Sequence, residues 1–375
     1  MPSISVSEIS TYSTCPQKHH LMYTERLARN YQETGPLRLG TIYHEIMAHV
    51  LQASYNRETA DELFDPAYTE RLINWTAKTW SEANRPVKNF EYEGETTPDV
   101  EFYERWQDTV DTGVILARLT VEQLDVWNRF EVLDTDELLP EFRPPGPAQP
   151  LVEYKISFPL VGTDYVFNGI IDAVVKDNNT GHIVVLDWKT KGSFINENNE
   201  MMNMQVGLYQ YVLQQMGLNV QRGLIYQIKS TVKKPGLNQP DKKTGVAEMS
   251  RRMITTTWGM YKDALLEAGL DPLDYQDMKA KLQAKENEIF MPLDVFRSQT
   301  FLTNLWRNVY AHVYQIRDDE NHAMALGFAC YQCPFNELCR SRLEGWPIED
   351  LIEHNFIRLP PREIVAQVIA EEIEA

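Results

Sequence analysis

Val166-Phe-Asn-Gly169-Ile-Ile-Asp172-Ala-Val-Val-Lys-Asp177-Asn-Asn-Thr-Gly181-His-Ile-Val-Val-Leu-Asp187-Trp-Lys189 is the stretch whose reading decides the fold. Two apolar runs rich in β-branched residues flank Asp177-Asn-Asn-Thr-Gly181, a cluster with the chemistry of a tight turn, so the segment reads as a β-hairpin. Pairing about a loop centred near Asn179 gives facing residues an index total near 358, and Asp172 with Asp187 total 359. The two carboxylates are therefore expected almost opposite each other, with Cβ atoms roughly 5 Å apart if both take one face. The two-residue period puts Lys189 on the face of Asp187 and turns Trp188 to the other side. Two acids and a lysine then converge at a strand end.

That convergence is what hydrolysis of a phosphodiester needs. Hard carboxylate oxygens hold Mg²⁺ or Mn²⁺, which polarises the phosphate and lowers the pKa of a bound water. An ammonium beside it offsets charge developing on the phosphoryl oxygens. An Asp-x-Lys tripeptide alone is common and more often belongs to an ordinary solvent-facing hairpin with a salt bridge, so the context has to decide.

Outward from the hairpin, Val152–Phe158 alternates as a third strand, Met202–Met216 reads as a helix ending at Gly217, and Val220–Ile228 returns to strand, which together make an α/β core. Upstream, Ser5-Val-Ser-Glu8 reads as a capping box starting a helix that delivers Cys15, and Ile42, Ile46, Met47 and Val50 predict a helix over Thr41–Ala53 after Gly35-Pro36. Residues 56–139 read as helical and polar, closing in the proline-rich stretch 140–150. Further helices are expected over Met260–Ile289 and Thr300–Arg317. The chain thus divides into N-terminal helices (1–55), an acidic helical insertion (56–150), the core (151–230), a basic loop with a helical insertion (231–299) and a C-terminal helical region (300–375). There is no internal repeat and no low-complexity tract.

The chain has 375 residues, 43% of them apolar and 24% charged, the composition of a folded protein. Its net charge of -18 disfavours a protein that coats DNA through a general positive field. The charge is uneven. Glu91–Asp111 holds eight carboxylates against Arg105 and should face away from a phosphate backbone. Between Gln227 and Gly245, Lys229, Lys233, Lys234, Lys242 and Lys243 face only Asp241, which suits either a solvated loop or phosphate contacts. With no membrane-length apolar run and no signal-peptide pattern, a cytoplasmic protein is expected, in a bacterial, archaeal or phage-infected cell.

Four pieces in order carry a family resemblance: Gly40-Thr-Ile-Tyr-His44-Glu, Gly169-Ile-Ile-Asp172, Leu186-Asp-Trp-Lys-Thr190 and Gln205-Val-Gly-Leu-Tyr209. In these the chain resembles the PD-(D/E)XK nuclease superfamily and, within it, the RecB-like branch. The resemblance implies a restriction-endonuclease-like core, a central mixed sheet flanked by helices, with helical insertions. It implies His44, Asp172 and Asp187 as ligands of Mg²⁺ or Mn²⁺, Lys189 as the catalytic lysine, and Gln205 and Tyr209, one helical turn apart, as further active-site residues. Where that family commonly has Lys-Thr-Gly, this chain has Lys189-Thr-Lys191-Gly192, a departure that adds a positive charge. His44 and His49 do not form a zinc-protease pair. Residues five apart lie about 140° apart on a helix, against about 40° for four.

The four cysteines are Cys15, Cys330, Cys333 and Cys339. They could hold a tetrahedral zinc or a [4Fe-4S] cluster, and the compact run of three with one distant cysteine favours the cluster over paired zinc knuckles. This split arrangement also resembles the iron-sulfur subgroup of RecB-like nucleases, which contains CRISPR-associated exonucleases and the nuclease half of AddAB-type helicase-nucleases. By that resemblance a [4Fe-4S] cluster joins the two termini.

The leading expectation is a metal-dependent DNA exonuclease acting on a single strand or a duplex end, in recombination, repair or phage DNA processing. Lys191, Lys229, Lys233 and Lys234 are its candidate nucleic-acid contacts. The alternatives are a nuclease or DNA-end-binding subunit working with a helicase, CRISPR or recombination protein, and a zinc-binding interaction module. No Gly-x4-Gly-Lys-[Ser/Thr] occurs, so any motor is another polypeptide.

Overall fold

The computed structural model describes residues 2–29, 36–56, 66–85, 89–92, 95–195, 199–200, 202–240, 247–285 and 289–360. Its strands are β1 (Ser3–Ile4), β2 (Leu27–Arg29), β3 (Asn89–Tyr92), β4 (Glu95–Pro98), β5 (Phe130–Val132), β6 (Val152–Pro159), β7 (Val166–Asp177), β8 (His182–Lys191), β9 (Val220–Lys229), β10 (Phe290–Val295) and β11 (Phe356–Arg358). The longer helices are α1 (Val6–Thr14), α2 (Pro36–Tyr55), α3 (Pro66–Asn84), α4 (Val100–Leu124), α5 (Met204–Gln215), α6 (Trp258–Glu267), α7 (Gln276–Lys285), α8 (Gln299–Asp318) and α9 (Asn336–Leu343).

The hairpin forms in the register its sequence predicts. β7 and β8 pair antiparallel from Asp177↔His182 to Ala173↔Leu186. The turn closes on Asp177, whose carbonyl accepts from the Thr180 and Gly181 amides while its side chain accepts from Asn179 N–H. Around it a mixed seven-stranded sheet runs β1-β7-β8-β9-β10, with β5 and β6 antiparallel to β7. β8 and β9 are parallel and joined by α5, the crossover that a parallel pair requires. Asp177 is fully buried and is neutralised by Arg129 and Arg222, which ties β5 and β9 to the turn.

One face of the sheet packs on α2, α3 and α4 through Ile42, Ile46, Ala173, Leu186 and Trp188. The other packs on α1, α5 and α8 through Ile9, Val174, Val185, Leu208 and Val309. The result is a three-layer sandwich. Gly113 lets α4 come close to α2, since a Cβ there would lie 2.7 Å from Ile42 Cγ2.

The sequence reading is corrected in four places. Residues 56–139 are not uniformly helical: they include the β3–β4 hairpin, and β5 joins the central sheet. This stretch also buries apolar residues against α2, with Trp80 and Trp106 stacked at 5.5 Å. α2 begins at Pro36, because proline is tolerated in a helix's first turn. The Met260–Ile289 region is two helices separated at Gly269, whose φ of +70° ends α6. β10 was hidden by Pro292, which β10 accommodates as the last strand of the sheet order. Gly35, Asp241, Lys242, Lys243 and Gly245, named in the sequence reading, lie outside the described residues.

The N-terminal and C-terminal regions meet among the described residues. β2 pairs antiparallel with β11, and Leu21, Leu27, Phe335, Leu338 and Phe356 form a small separate core. No helix among the described residues is long and apolar enough to cross a membrane.

Candidate active site

The β7–β8 ladder has its last pair at Ala173↔Leu186, one residue short of the two aspartates. There Trp188 N–H donates to Asp172 Oδ2 at 2.8 Å, so a carboxylate takes the place of a strand carbonyl. Trp188 turns to the α2 face, edge-on to Tyr43 and Tyr226. Asp187 and Lys189 share the opposite face, and Lys189 Nζ donates to Asp187 Oδ1 at 2.8 Å and to Gln205 Oε1 at 3.2 Å. Helix α2 supplies His44, whose Nδ1 lies 3.4 Å from Asp172 Oδ2. Its neighbour Tyr43 is fully buried and hydrogen-bonded to Thr120 at 2.9 Å, which fixes the rotation of α2.

A residue the sequence reading missed completes this group. Glu153 lies opposite Asp172 in the β6–β7 register, where the pairing skips from Val152↔Ala173 to Tyr154↔Ile171. Its φ is +46°, a left-handed conformation that a strand residue with a side chain rarely adopts. The carboxylate is thereby brought beside His44 and Asp172, and one ligand atom from each of the three lies within 4.8 Å of the others. Strict alternation along Val152–Phe158 hid this, because the backbone reversal breaks the alternation at that residue. Asp187 stands outside this triplet, held by Lys189, although its second oxygen Oδ2 is buried and has no hydrogen-bond partner among the described residues.

The electrostatics have one theme, carboxylates crowded without enough positive charge. Burial pushes the Asp187 carboxyl up to about 6, with Asp172 adding to the rise and Lys189 opposing it. Burial and the charge of Asp172 push Glu153 up to about 7. For His44, burial favours the neutral ring, but the hydrogen bond to Asp172 and its charge raise the pKa on balance. Burial would discharge Lys189, yet Asp187 and Asp172 raise its pKa and keep the ammonium. An orphaned buried carboxylate oxygen beside a His-Glu-Asp triplet is the donor set of a hard divalent cation.

Gln205 and Tyr209 extend the site along α5. Burial pushes the Tyr209 phenol up to about 12, with Gln205 opposing the rise. Its ring lies on the strand at Gly169, where a Cβ would come within 2.5 Å of the ring. Glycine there is a condition of the close approach. After Lys189 the departure Lys-Thr-Lys-Gly is accommodated: the buried Gln227 side chain clamps both the amide and the carbonyl of Ile195, and Ser230 N–H donates to the Lys191 carbonyl.

The basic residues separate into two groups. Lys191 and Lys229 are register partners at the end of β8–β9 that carries Lys189, and Lys229 lies over the Phe194 ring at 5.2 Å. Lys233 is exposed, and Lys234 is engaged by Glu267 at 2.8 Å.

The four cysteines form no disulfide. They line one cavity of about 180 Å³ at the meeting of the chain ends, together with Lys18, Phe335 and Arg340. Ala325 links two of them, its N–H donating to Cys15 Sγ at 3.5 Å and its carbonyl accepting from Cys330 Sγ at 3.7 Å. Burial, then the charges of Cys333, Cys15 and Cys330, push the Cys339 thiol up to about 11. No three of the sulfurs lie within 4.8 Å of one another.

Among known families, the description of the PD-(D/E)XK nuclease superfamily matches residues 3–340, nearly the whole chain. No curated protein matches it.

Proposed function

The chain belongs to the PD-(D/E)XK nuclease superfamily, and from that premise we propose that it is a metal-dependent DNA exonuclease, acting on a single strand or a duplex end. The observation that supports this best is the convergence of His44, Glu153 and Asp172 beside the Asp187–Lys189–Gln205 chain. His44, Asp172, Asp187 and Glu153 would hold Mg²⁺ or Mn²⁺. A cation there supplies polarisation of the phosphate and acidification of an attacking water. Water attacks phosphorus, the bond to the bridging oxygen breaks, and the products are a terminal phosphate and a hydroxyl. Lys189, held by Asp187 and Gln205, presents its ammonium to the phosphoryl oxygens as their charge grows. Lys191 and Lys229, at the same end of the sheet, offer phosphate contacts, with Lys233 farther along the chain and Lys234 available only on release from Glu267.

Cleavage of end-labelled linear DNA with closed circles of the same sequence left intact supports exonuclease action. Nicking of circles at a comparable rate would make the enzyme an endonuclease.

The cysteine cavity is read as the seat of a [4Fe-4S] cluster bound by Cys15, Cys330, Cys333 and Cys339. A tetrahedral zinc with bonds of about 2.3 Å needs its thiolates crowded together, whereas a four-iron cluster interposes iron and sulfide and spreads them. The cavity that all four cysteines line, with no three of the sulfurs within 4.8 Å of one another, supports the larger group.

Two results are expected of the metal site. Replacing Glu153 with Gly relieves the left-handed strain, so thermal stability holds or rises by about 1 kcal/mol while apparent Mn²⁺ affinity falls about tenfold. Calorimetric titration and a melting curve measure both; unchanged affinity would remove Glu153 from the ligand set. Second, Asp187 and Glu153 have folded pKa values raised above their unfolded values near 4. Without metal, the stability they contribute is full below pH 4 and is lost as pH rises through 6 to 7. Added Mn²⁺ should cancel that loss, and its affinity should rise between pH 5.5 and 8 with proton release. A pH-independent affinity over that range would contradict the assignment.

A further inference from the structure

Beside the metal triplet, a cavity of about 470 Å³ shares Gln205 and Tyr209 with the site and is otherwise lined by the first turn of α1, β6 and β7. Its volume is in the range of a small-molecule site and suits one nucleotide. Lys155 on β6 lines it and makes no ion pair among the described residues, in a chain whose net charge is -18. Asn168 lines the same space, and its Oδ1 is buried without a hydrogen-bond partner among the described residues. Ser5 and Ser7 line the cavity as well. The Ser5 hydroxyl is occupied in capping α1, accepting from Glu8 N–H, while Ser7 is exposed on the first turn, whose amides carry the positive end of the helix dipole.

We propose, resting on the nuclease reading above, that this cavity is the subsite for the nucleotide next to the scissile phosphate, with Lys155 and the first turn of α1 gripping that nucleotide's own phosphate. The cation and the helix terminus supply the anion site, and the orphaned Asn168 oxygen accepts from a donor on the sugar or base. Because Gln205 spans the wall between the cavity and Lys189, a strand seated here carries its neighbouring phosphate towards the metal ligands. Substrate register is thus set by β6 and α1, elements that carry neither Asp172 nor Lys189.

The test is equilibrium binding of a fluorescent single-stranded oligonucleotide to the full chain carrying Lys189→Ala, so that nothing is cut, over a salt series. Adding Lys155→Gln should weaken binding about fivefold at 0.1 M salt and reduce the slope of log K against log salt by about 0.7, the signature of one lost phosphate contact. Adding Ser7→Asp should weaken it about tenfold while leaving the melting temperature unchanged or raised, because a carboxylate in a helix's first turn favours the helix and repels the ligand. Full binding with an unchanged salt slope in both variants would overturn the subsite and leave the nuclease reading standing. Absence of binding by the Lys189→Ala parent itself, to this oligonucleotide and to a blunt duplex of the same sequence, would overturn the nuclease reading and the subsite with it.

Discussion

Replacing Lys189 with Ala is expected to lower the rate of DNA cleavage about 10³-fold, the scale of removing one positioned charge from a transition state. The fold should survive. Lys189 lies near the open end of β8, and its partners are two side chains, Asp187 and Gln205, rather than the strand ladder. Its loss leaves Asp187 unpaired, and since burial already pushes that carboxyl up to about 6, the group can protonate instead of unfolding the sheet. The variant should therefore bind less Mn²⁺ at pH 6 than the parent and approach it at pH 8. Single-turnover cleavage and a metal titration at both pH values read the two effects apart. Full activity in the variant would remove Lys189 from the chemistry.

Replacing Cys339 with Ala has the second large expected effect. Cys15 and Cys330 lie more than three hundred residues apart in sequence, and the proposed cluster would close that loop. By the chain-entropy argument such a closure would restrict the unfolded chain by about 6 kcal/mol. The apolar contacts joining the ends are few, the β2–β11 pair and the small core of Leu21, Leu27, Phe335, Leu338 and Phe356, so they do not replace it. The variant should lose visible absorption and melt on the order of 10 °C lower. The cavity lies apart from the metal triplet, sharing no residue with it, so residual folded protein should retain the Mg²⁺ or Mn²⁺ site. An unchanged spectrum and an unchanged melting curve would take Cys339 out of the ligand set.

The hairpin was legible because register follows from two local signals, a turn cluster and two β-branched runs, and these fix the index total of 359 realised in the structure. The cap of α1 was legible for the same reason: Ser5 accepts from Glu8 N–H, three residues on. The Glu8 carboxylate also meets His19 at 3.2 Å, a contact that depends on how the chain turns after Cys15. Glu153 was hidden by a single backbone reversal that no side-chain pattern announces. β5 was hidden because three residues are too few to display a period, and its pairing with β7 is long-range. Lys234 read as a free cation because Glu267, its partner, lies thirty-three residues away on α6. Local periodicity thus found the elements and most of the acids, while tertiary placement decided which charges remain for a ligand.

The most direct test is cleavage of end-labelled linear DNA, single- and double-stranded, by the full chain with Mg²⁺ or Mn²⁺, with chelator, and by Lys189→Ala. Degradation of at least one of the two is expected, requiring the metal and lost in the variant. Metal-loaded protein that leaves both DNAs intact, or cleavage that persists equally in the variant and in chelator, would contradict the nuclease reading.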